Sequence, residues 1–298
     1  MHTPVMLEEV LGLTKEIQPR WILDATFGRG GHTRALLAAC PQARLIAIDH
    51  DADAVAFGER EFAEEIRTGR LVLKQFNFHD IGSLEIRPQT GFDTILLDLG
   101  VSSPQLDEPG RGFSFYHDGP LDMRMNQAQE ITAADIVNNW SEVELNELFL
   151  RYGEVRRPHR VVRAIVQDRK QKSFTSTLQL AQLIERVEGW RRKGHHPATT
   201  YFLALRMAVN NELTGLEACI PDLMRVLNDR GRLIVITFHS LEDRIIKYAF
   251  RKASEWGVPL FKKVIRPTRE EERDNPRARS AKLRIFQRGS QHDSTPSS

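Results

Sequence analysis

A short apolar strand that runs into a glycine turn constrains this chain more than any other stretch. Trp21-Ile22-Leu23-Asp24-Ala25-Thr26 is followed by Phe27-Gly28-Arg29-Gly30-Gly31, then by a helical segment through Leu36, Leu37 and Ala39 that Pro41 ends. A second strand, Arg44-Leu45-Ile46-Ala47-Ile48-Asp49, closes the unit with an acid at its tip. Glycines let backbone approach a ligand closely, and the helix they open points its free N–H groups outward. A carboxylate about 20 residues on, at the end of the second strand, is placed to accept ribose hydroxyls. The same pattern also arises as a plain tight turn with a surface acid. A dinucleotide site needs a third glycine where this chain has Thr33, so the turn favours another nucleoside-bearing ligand. S-adenosylmethionine uses the same strand ends. Asp24 is open to two readings, a partner for that ligand's ammonium group or a turn former.

Further on come a helical segment at 52–66, a strand at 71–76, and a very apolar strand, Phe92-Asp93-Thr94-Ile95-Leu96-Leu97-Asp98. Strands alternating with helices predict an open α/β sheet of parallel strands covered on both faces. From 106 to 198 the strand signal disappears. A loop rich in Gly, Asp and Pro gives way to helical stretches at 133–140, 142–152, 158–170 and 178–187. Strands return at 232–238 and 282–286. We therefore expect a sheet domain made of 1–105 and 199–298, and a mainly helical domain, 106–198, inserted between the fourth and fifth strands. One long helix at 199–219 carries Phe202, Leu205, Val209, Leu213 and Leu216 on one stripe, as a helix packed on the sheet would. The polar end, from Gln291 onward, reads as a tail.

In 298 residues no apolar run approaches the ~20 needed to span a membrane, and the start lacks the pattern of a secretory signal. The expectation is a cytoplasmic protein without membrane association. Cys40 and Cys219 are the only cysteines, too few for a disulfide framework or a cysteine zinc site. His195-His196 has no partner at metal spacing, so no metal site is expected and hinge or capping roles fit it better. The net charge of +2 hides segmentation. Residues 1–105 carry −5 and 106–150 carry −7, whereas 151–196 carry +8 and 197–298 carry +6. A basic second half points to a polyanionic partner, or merely to solvated faces.

The fourth strand leads into Asp98-Leu99-Gly100-Val101-Ser102-Ser103-Pro104-Gln105-Leu106-Asp107, which resembles the Ser/Asp-Pro-Pro-aromatic loop of enzymes that methylate base amines, with Gln105 and Leu106 departing from it. Phe113, Phe115 or Tyr116 would then have to supply the stacking ring. Together with Thr26 to His32, Arg111-Gly112-Phe113-Ser114-Phe115, Asp118 to Met125, His196-Pro197-Ala198-Thr199, Thr237 to Arg244 and Asn275 to Ser280, this loop gives the chain its resemblance to the RsmH (MraW) family of ribosomal RNA methyltransferases. The matches run in the family's order from 26 to 280. The resemblance implies a class I S-adenosylmethionine-dependent methyltransferase sheet (Rossmann-like) with an inserted helical domain that recognises substrate. It implies methyl transfer to N4 of a cytidine in the decoding region of 16S ribosomal RNA, within the small ribosomal subunit. It assigns donor contacts to Gly30, Gly31, His32, Asp49, Phe78, Asp98 and Gln105.

Cytosine's exocyclic amine is a weak nucleophile, because its lone pair is delocalised into the ring. The required chemistry is alignment, with acceptors holding the amine hydrogens. Ser103 and the carbonyls of 102–105 are the candidate acceptors, and Asp122 or His239 the candidate proton acceptor. Methylation at C5 would need a cysteine at the sheet's carboxyl edge, where neither Cys40 nor Cys219 falls. For RNA the candidates are Arg160, Arg163 and Lys170 on one helix face, with Arg191, Arg192, Arg277 and Arg279 on loops. Two other classes remain: a nicotinamide oxidoreductase, which Thr33 opposes, and a non-catalytic RNA-binding factor.

Overall fold

The structure, a computed structural model, describes residues 3–189 and 196–289, with Ser103 described through its backbone alone. The chain divides into two compact units, Met1–Gly100 with Leu213–Ser298, and Val101–Glu212. The boundaries differ from the expected 105 and 199.

The first unit is built on seven strands: β1 (Trp21–Asp24), β2 (Arg44–Asp49), β3 (Leu71–Gln75), β4 (Phe92–Asp98), β5 (Leu227–Thr237), β6 (Gly257–Pro259) and β7 (Lys282–Arg288). Their order is β3-β2-β1-β4-β5-β7-β6. The first five run parallel, β7 is antiparallel to β5, and β6 is antiparallel to β7. This is the open, mainly parallel α/β sheet that the alternation of strands and helices predicts. The central strands read as unbroken apolar runs because both faces are covered. Leu23, Ile95, Leu97 and Val235 join the core on one side, and Ile22, Leu96, Ile234 and Ile236 the core on the other. Sequence periodicity misses β6, a three-residue strand ending in proline, and the helix Leu7–Lys15. The helical segment at 52–66 divides at Phe62, whose φ of −116° and ψ of 25° interrupt it while its ring is fully buried.

In the second unit the helices Ala133–Asn139, Glu142–Arg151, His159–Asp168, Thr177–Glu188 and Thr199–Val209 enclose their own apolar core. Three of them open with a Thr or Ser whose side chain accepts the N–H three residues on, the signature of a capping box. The expected single helix 199–219 is two helices, Thr199–Val209 and Glu212–Arg225. Asn210 breaks it: its Oδ1 accepts from Met125 N–H at 2.8 Å, and its Nδ2 donates to Met123 O at 2.8 Å. Asn211 then turns through a left-handed φ of 50°. The predicted stripe is accordingly shared out. Phe202, Leu205 and Val209 belong to the core of the helical unit, whereas Leu216 belongs to that of the sheet. No described helix is long and apolar enough to cross a membrane.

Candidate active site

Register places the carboxyl ends of the parallel strands along one rim. Asp24 sits opposite Leu96 and Ala47, Asp49 opposite Gln75, and Asp98 opposite Ile236. The strand order reverses between β1 and β4, the position at which open α/β sheets bind ligands.

The glycine turn is built around a left-handed residue. Gly30 has φ of 69° and caps the helix Gly31–Ala39. A Cβ there would lie 2.6 Å from the Phe62 ring and 2.8 Å from that of Phe27, and both rings are buried. A Cβ on Gly31 would lie 2.6 Å from Pro4 Cγ, so the N-terminal segment packs on this turn. That segment is itself anchored, with Met6 N–H donating to Glu271 Oε1 at 2.6 Å and Asn275 Nδ2 donating to Thr3 O at 3.1 Å. Neither anchor carries a sequence signal, because 265 or more residues separate the partners.

Asp24 has the bonds of a turn former. It is buried, its Oδ2 accepts from the Thr33 hydroxyl at 2.6 Å, and its Oδ1 accepts from Thr26 N–H at 3.2 Å. The residue that replaces the third glycine therefore locks the strand to the helix. Thr26 also ties β1 to β4, its hydroxyl accepting from Asp98 N–H at 2.7 Å.

Asp49 bridges two elements. Its Oδ2 accepts from Gly28 N–H at 2.7 Å and its Oδ1 from Asp51 N–H at 2.8 Å. Burial outweighs these bonds and pushes its pKa up to about 6. Each oxygen keeps a lone pair beyond its backbone bond.

His32 and Asp98 form the unsatisfied part of the rim. His32 is buried, and its Nε2 lies 3.6 Å from Asp98 Oδ2, too long for a hydrogen bond. Neither imidazole nitrogen has a hydrogen-bond partner, nor has Asp98 Oδ1. Burial opposes charge on His32, but the carboxylates of Asp98, Asp24 and Glu271 together hold its pKa above the ordinary value. Buried polar atoms without partners are uncommon and costly, about 1–3 kcal/mol each, so three gathered between the end of β4 and the first turn of the helix Gly31–Ala39 make this rim the candidate ligand site. Phe78 opens a short 3-10 helix after β3 and is half-buried against the sheet core, its ring edge-on to His79 at 4.5 Å.

A family model described as the MraW methylase family matches residues 1–289. The chain belongs to the MraW methylase family. Ribosomal RNA small subunit methyltransferase H of Bdellovibrio bacteriovorus is 54% identical over 297 residues, 99% of this chain and 90% of that protein. Its namesake in Rippkaea orientalis is 47% identical, covering 97% and 92%, and that of Coprothermobacter proteolyticus is 42% identical, covering 97% and 96%. A solved structure described as an rRNA methylase from Streptococcus thermophilus aligns with 97% of this chain and 100% of that one at TM-score 0.47 and 8% identity. The fold assignment rests on the strand order, not on that likeness. The family assignment carries the expected cofactor, S-adenosylmethionine, with it.

The remaining expected residues have mixed surroundings. Gln105 lies in the second unit, where its Oε1 accepts from Ser102 N–H at 2.9 Å at the start of the helix Ser103–Asp107. The side chain of Ser103 lies outside the described residues, as do Arg191 and Arg192. Asp122 and His239, the expected proton acceptors, are both committed to structural bonds. Asp122 is bidentate to Arg124 at 2.8 and 2.7 Å; burial raises its pKa, but Arg124 outweighs that and holds it below the ordinary range, a poor base. His239 caps the helix Ser240–Lys252, its Nδ1 accepting from Leu241 N–H at 3.3 Å, so taking a proton there breaks the cap. His196 has a capping role as well, its Nδ1 accepting from Ala198 N–H at 3.1 Å.

On the helix His159–Asp168, Val161, Val162 and Ile165 are fully buried while Arg160 and Arg163 are exposed, with Arg163 3.5 Å from Glu142. Lys170 is exposed just past its end. Arg277 is half-buried in a short 3-10 helix, and Arg279 is exposed with its Nε donating to Glu272 O at 3.3 Å. Of the candidate stacking rings, Phe113 is buried, Phe115 packs against His196 and Phe202, and Tyr116 is 75% exposed. Cys219 lies in the sheet core, and burial pushes its thiol up to about 12, which removes it as a nucleophile.

Proposed function

We infer that this protein transfers a methyl group from S-adenosylmethionine to the exocyclic N4 of a cytidine in the decoding region of 16S ribosomal RNA. The observation that carries the reading is the unsatisfied His32–Asp98 pair at the switch point of a methylase sheet, in a chain whose relatives are named small subunit ribosomal RNA methyltransferases. The donor set fits the cofactor. Asp98 brings the negative charge that a sulfonium and an ammonium need, Asp49 the lone pairs for ribose hydroxyls, and Gly30 and Gly31 a turn free of side chains. Phe78 offers an apolar surface for adenine. Gln105 stays in the set on its family position.

S-adenosylmethionine supplies an electrophilic methyl carbon. The chain's task is to bring the amine into line with it and to keep water out. Ser103 and the carbonyls around it accept the amine hydrogens, which leaves the nitrogen lone pair free. The extruded base needs a shelf, and Tyr116 is the ring with the most open surface. With Asp122 and His239 committed elsewhere, the proton passes to solvent, because a protonated amide-like amine is a strong acid. RNA is held by the basic face of Arg160, Arg163 and Lys170, with Arg191, Arg192, Arg277 and Arg279 as further contacts, in the context of the small subunit.

Calorimetric titration separates this reading from the oxidoreductase one: S-adenosylmethionine is expected to bind and NAD not. Transfer of labelled methyl to small ribosomal subunits then separates it from a non-catalytic factor; a protein that binds the donor but labels nothing contradicts it.

Asp49 makes donor binding pH-dependent. Its carboxyl must be ionised to accept two hydroxyls, and burial favours the protonated form up to about pH 6. Affinity is therefore expected to be level above that pH and to fall as pH drops through it, by up to tenfold for each unit below. Titrations from about pH 5 to about pH 8 check the sign, and affinity that rises in acid contradicts it.

Charge reversal at both Arg160 and Arg163 is expected to weaken RNA binding about tenfold or more and to flatten its salt dependence. Donor affinity stays unchanged. Binding measured across a salt series checks both, and an unaltered slope removes these residues from the interface.

A further inference from the structure

The free edge of the sheet carries a basic groove that the methyl-transfer chemistry does not use. Beyond β6 the chain keeps to the side of β7: Leu260 N–H donates to Ile285 O at 3.0 Å, and Ile265 and Leu283 exchange two backbone bonds at 3.1 and 2.9 Å. Between this segment and the helix Ser240–Lys252 lies a cavity of about 360 Å³. Phe250 and Leu283, both buried, are among the residues around it. Lys247, Arg251, Lys262 and Lys263 line it too, and no Asp or Glu does. None of the four has a carboxylate partner among the described residues. The nearby Asp243 is already matched, by Arg284 at 2.6 Å and Lys282 at 3.3 Å. Phe261 also lines the cavity with its side chain 47% exposed.

Four unmatched cations would repel one another without a polyanion to bring them together. An open ring such as Phe261 is what a nucleobase needs to stack on, and cations lining the same groove are what a phosphate chain needs. Register gives the distance from the chemistry. Lys282 pairs with Thr237 at the rim and Arg284 lies two residues below it, about 7 Å along the strand. From β4 to β7 is two strand spacings, about 10 Å across. A strand whose target base reaches the rim therefore passes within a few nucleotides of the groove.

We propose that this groove, lined by Lys247, Arg251, Lys262 and Lys263 with Phe261 at its mouth, binds a single-stranded RNA segment flanking the methylated nucleotide. The proposal rests on the reading of the protein as a ribosomal RNA methyltransferase, and does not depend on which atom of the base is methylated. An acidic protein segment or an anionic membrane would answer to the charges but not to an open ring set among them.

The test uses the full chain carrying K262E with K263E, and separately F261A, all at exposed positions. The probes are a decoding-region RNA fragment with single-stranded flanks, the same fragment trimmed to its duplex, and phosphatidylglycerol vesicles. The lysine reversals are expected to raise the dissociation constant for the flanked fragment about tenfold or more. They should also lower the slope of log affinity against log salt by about 1.4, two single-strand phosphate contacts. F261A raises it about tenfold, with little change in slope. The trimmed fragment shows neither change, donor affinity is unaltered, and the defect in methylation appears in KM for RNA. Unchanged affinity and slope in folded variants overturn the proposal, as do equal losses on the trimmed fragment. Loss confined to vesicle binding overturns it in favour of a membrane. A product other than N4-methylcytidine refutes the proposed function while leaving the flank dependence to be read from binding alone.

Discussion

Alanine at Gly30 is expected to remove donor binding and to cost about 2–5 kcal/mol of stability. The left-handed φ of 69° accounts for about 1–2 kcal/mol of this. Overpacking against Phe62 and Phe27 adds about 1–3 kcal/mol. Neither ring has room to retreat, since Phe62 is fully buried and meets Phe27 edge-on at 5.6 Å. Any relief comes from moving the turn, and the turn carries Gly28 N–H, one of the two donors that hold Asp49. Thermal unfolding is expected to show a lowered transition temperature. Calorimetry is expected to show no S-adenosylmethionine binding. A variant of ordinary stability that still binds the donor contradicts this account of the turn.

Alanine at Asp98 tests the site with the fold left alone. The strand is held by Asp98 N–H to Thr26 and by β4's pairing, whereas the carboxylate has no hydrogen bond that the strand depends on. Removing it deletes the negative charge beside His32, the main influence that raises the imidazole's pKa against the opposing effect of burial. Donor affinity is expected to fall about 100-fold, or about 2.7 kcal/mol. Methyl transfer should fall at least as far, and the circular dichroism spectrum should be unchanged. In the variant His32 loses its raised pKa, which nitrogen or proton NMR of the imidazole reads directly. Wild-type donor affinity in Asp98→Ala removes the acid–imidazole pair from the donor site.

The elements that the sequence made legible are those whose causes are local. The apolar runs of β1, β2 and β4 follow from burial on both faces, and the turn at Gly28–Gly31 from glycines in an otherwise apolar strand–helix junction. The helical stretches expected from 133, 142 and 178 begin within a residue of the observed starts at Ala133, Glu142 and Thr177, each of which follows a capping box in the structure. What stayed hidden depends on partners distant in the chain. The break after Val209 comes from Asn210 clasping Met123 and Met125 some 85 residues away, and no periodicity records that. The N-terminal segment on Gly31 is held by Glu271 and Asn275, at the other end of the chain. In the site, acids at strand ends could be located, but their roles could not be separated. Asp24, Asp49 and Asp98 occupy similar sequence positions, yet Asp24 is buried and bound to Thr33 and Thr26, Asp49 bridges Gly28 and Asp51, and of the three only Asp98 has a buried oxygen without a partner. Likewise Asp122 reads as a free acid in sequence and is tied to Arg124 in the structure.

We propose that the rim of this sheet delivers a methyl group to a cytosine amine. The most direct test is to digest small-subunit RNA after reaction with the purified protein and a labelled donor, and to identify the labelled nucleoside by mass spectrometry. The label is expected in N4-methylcytidine, at one position of the decoding region. Label at cytosine C5, on a ribose, or on another base contradicts the claim.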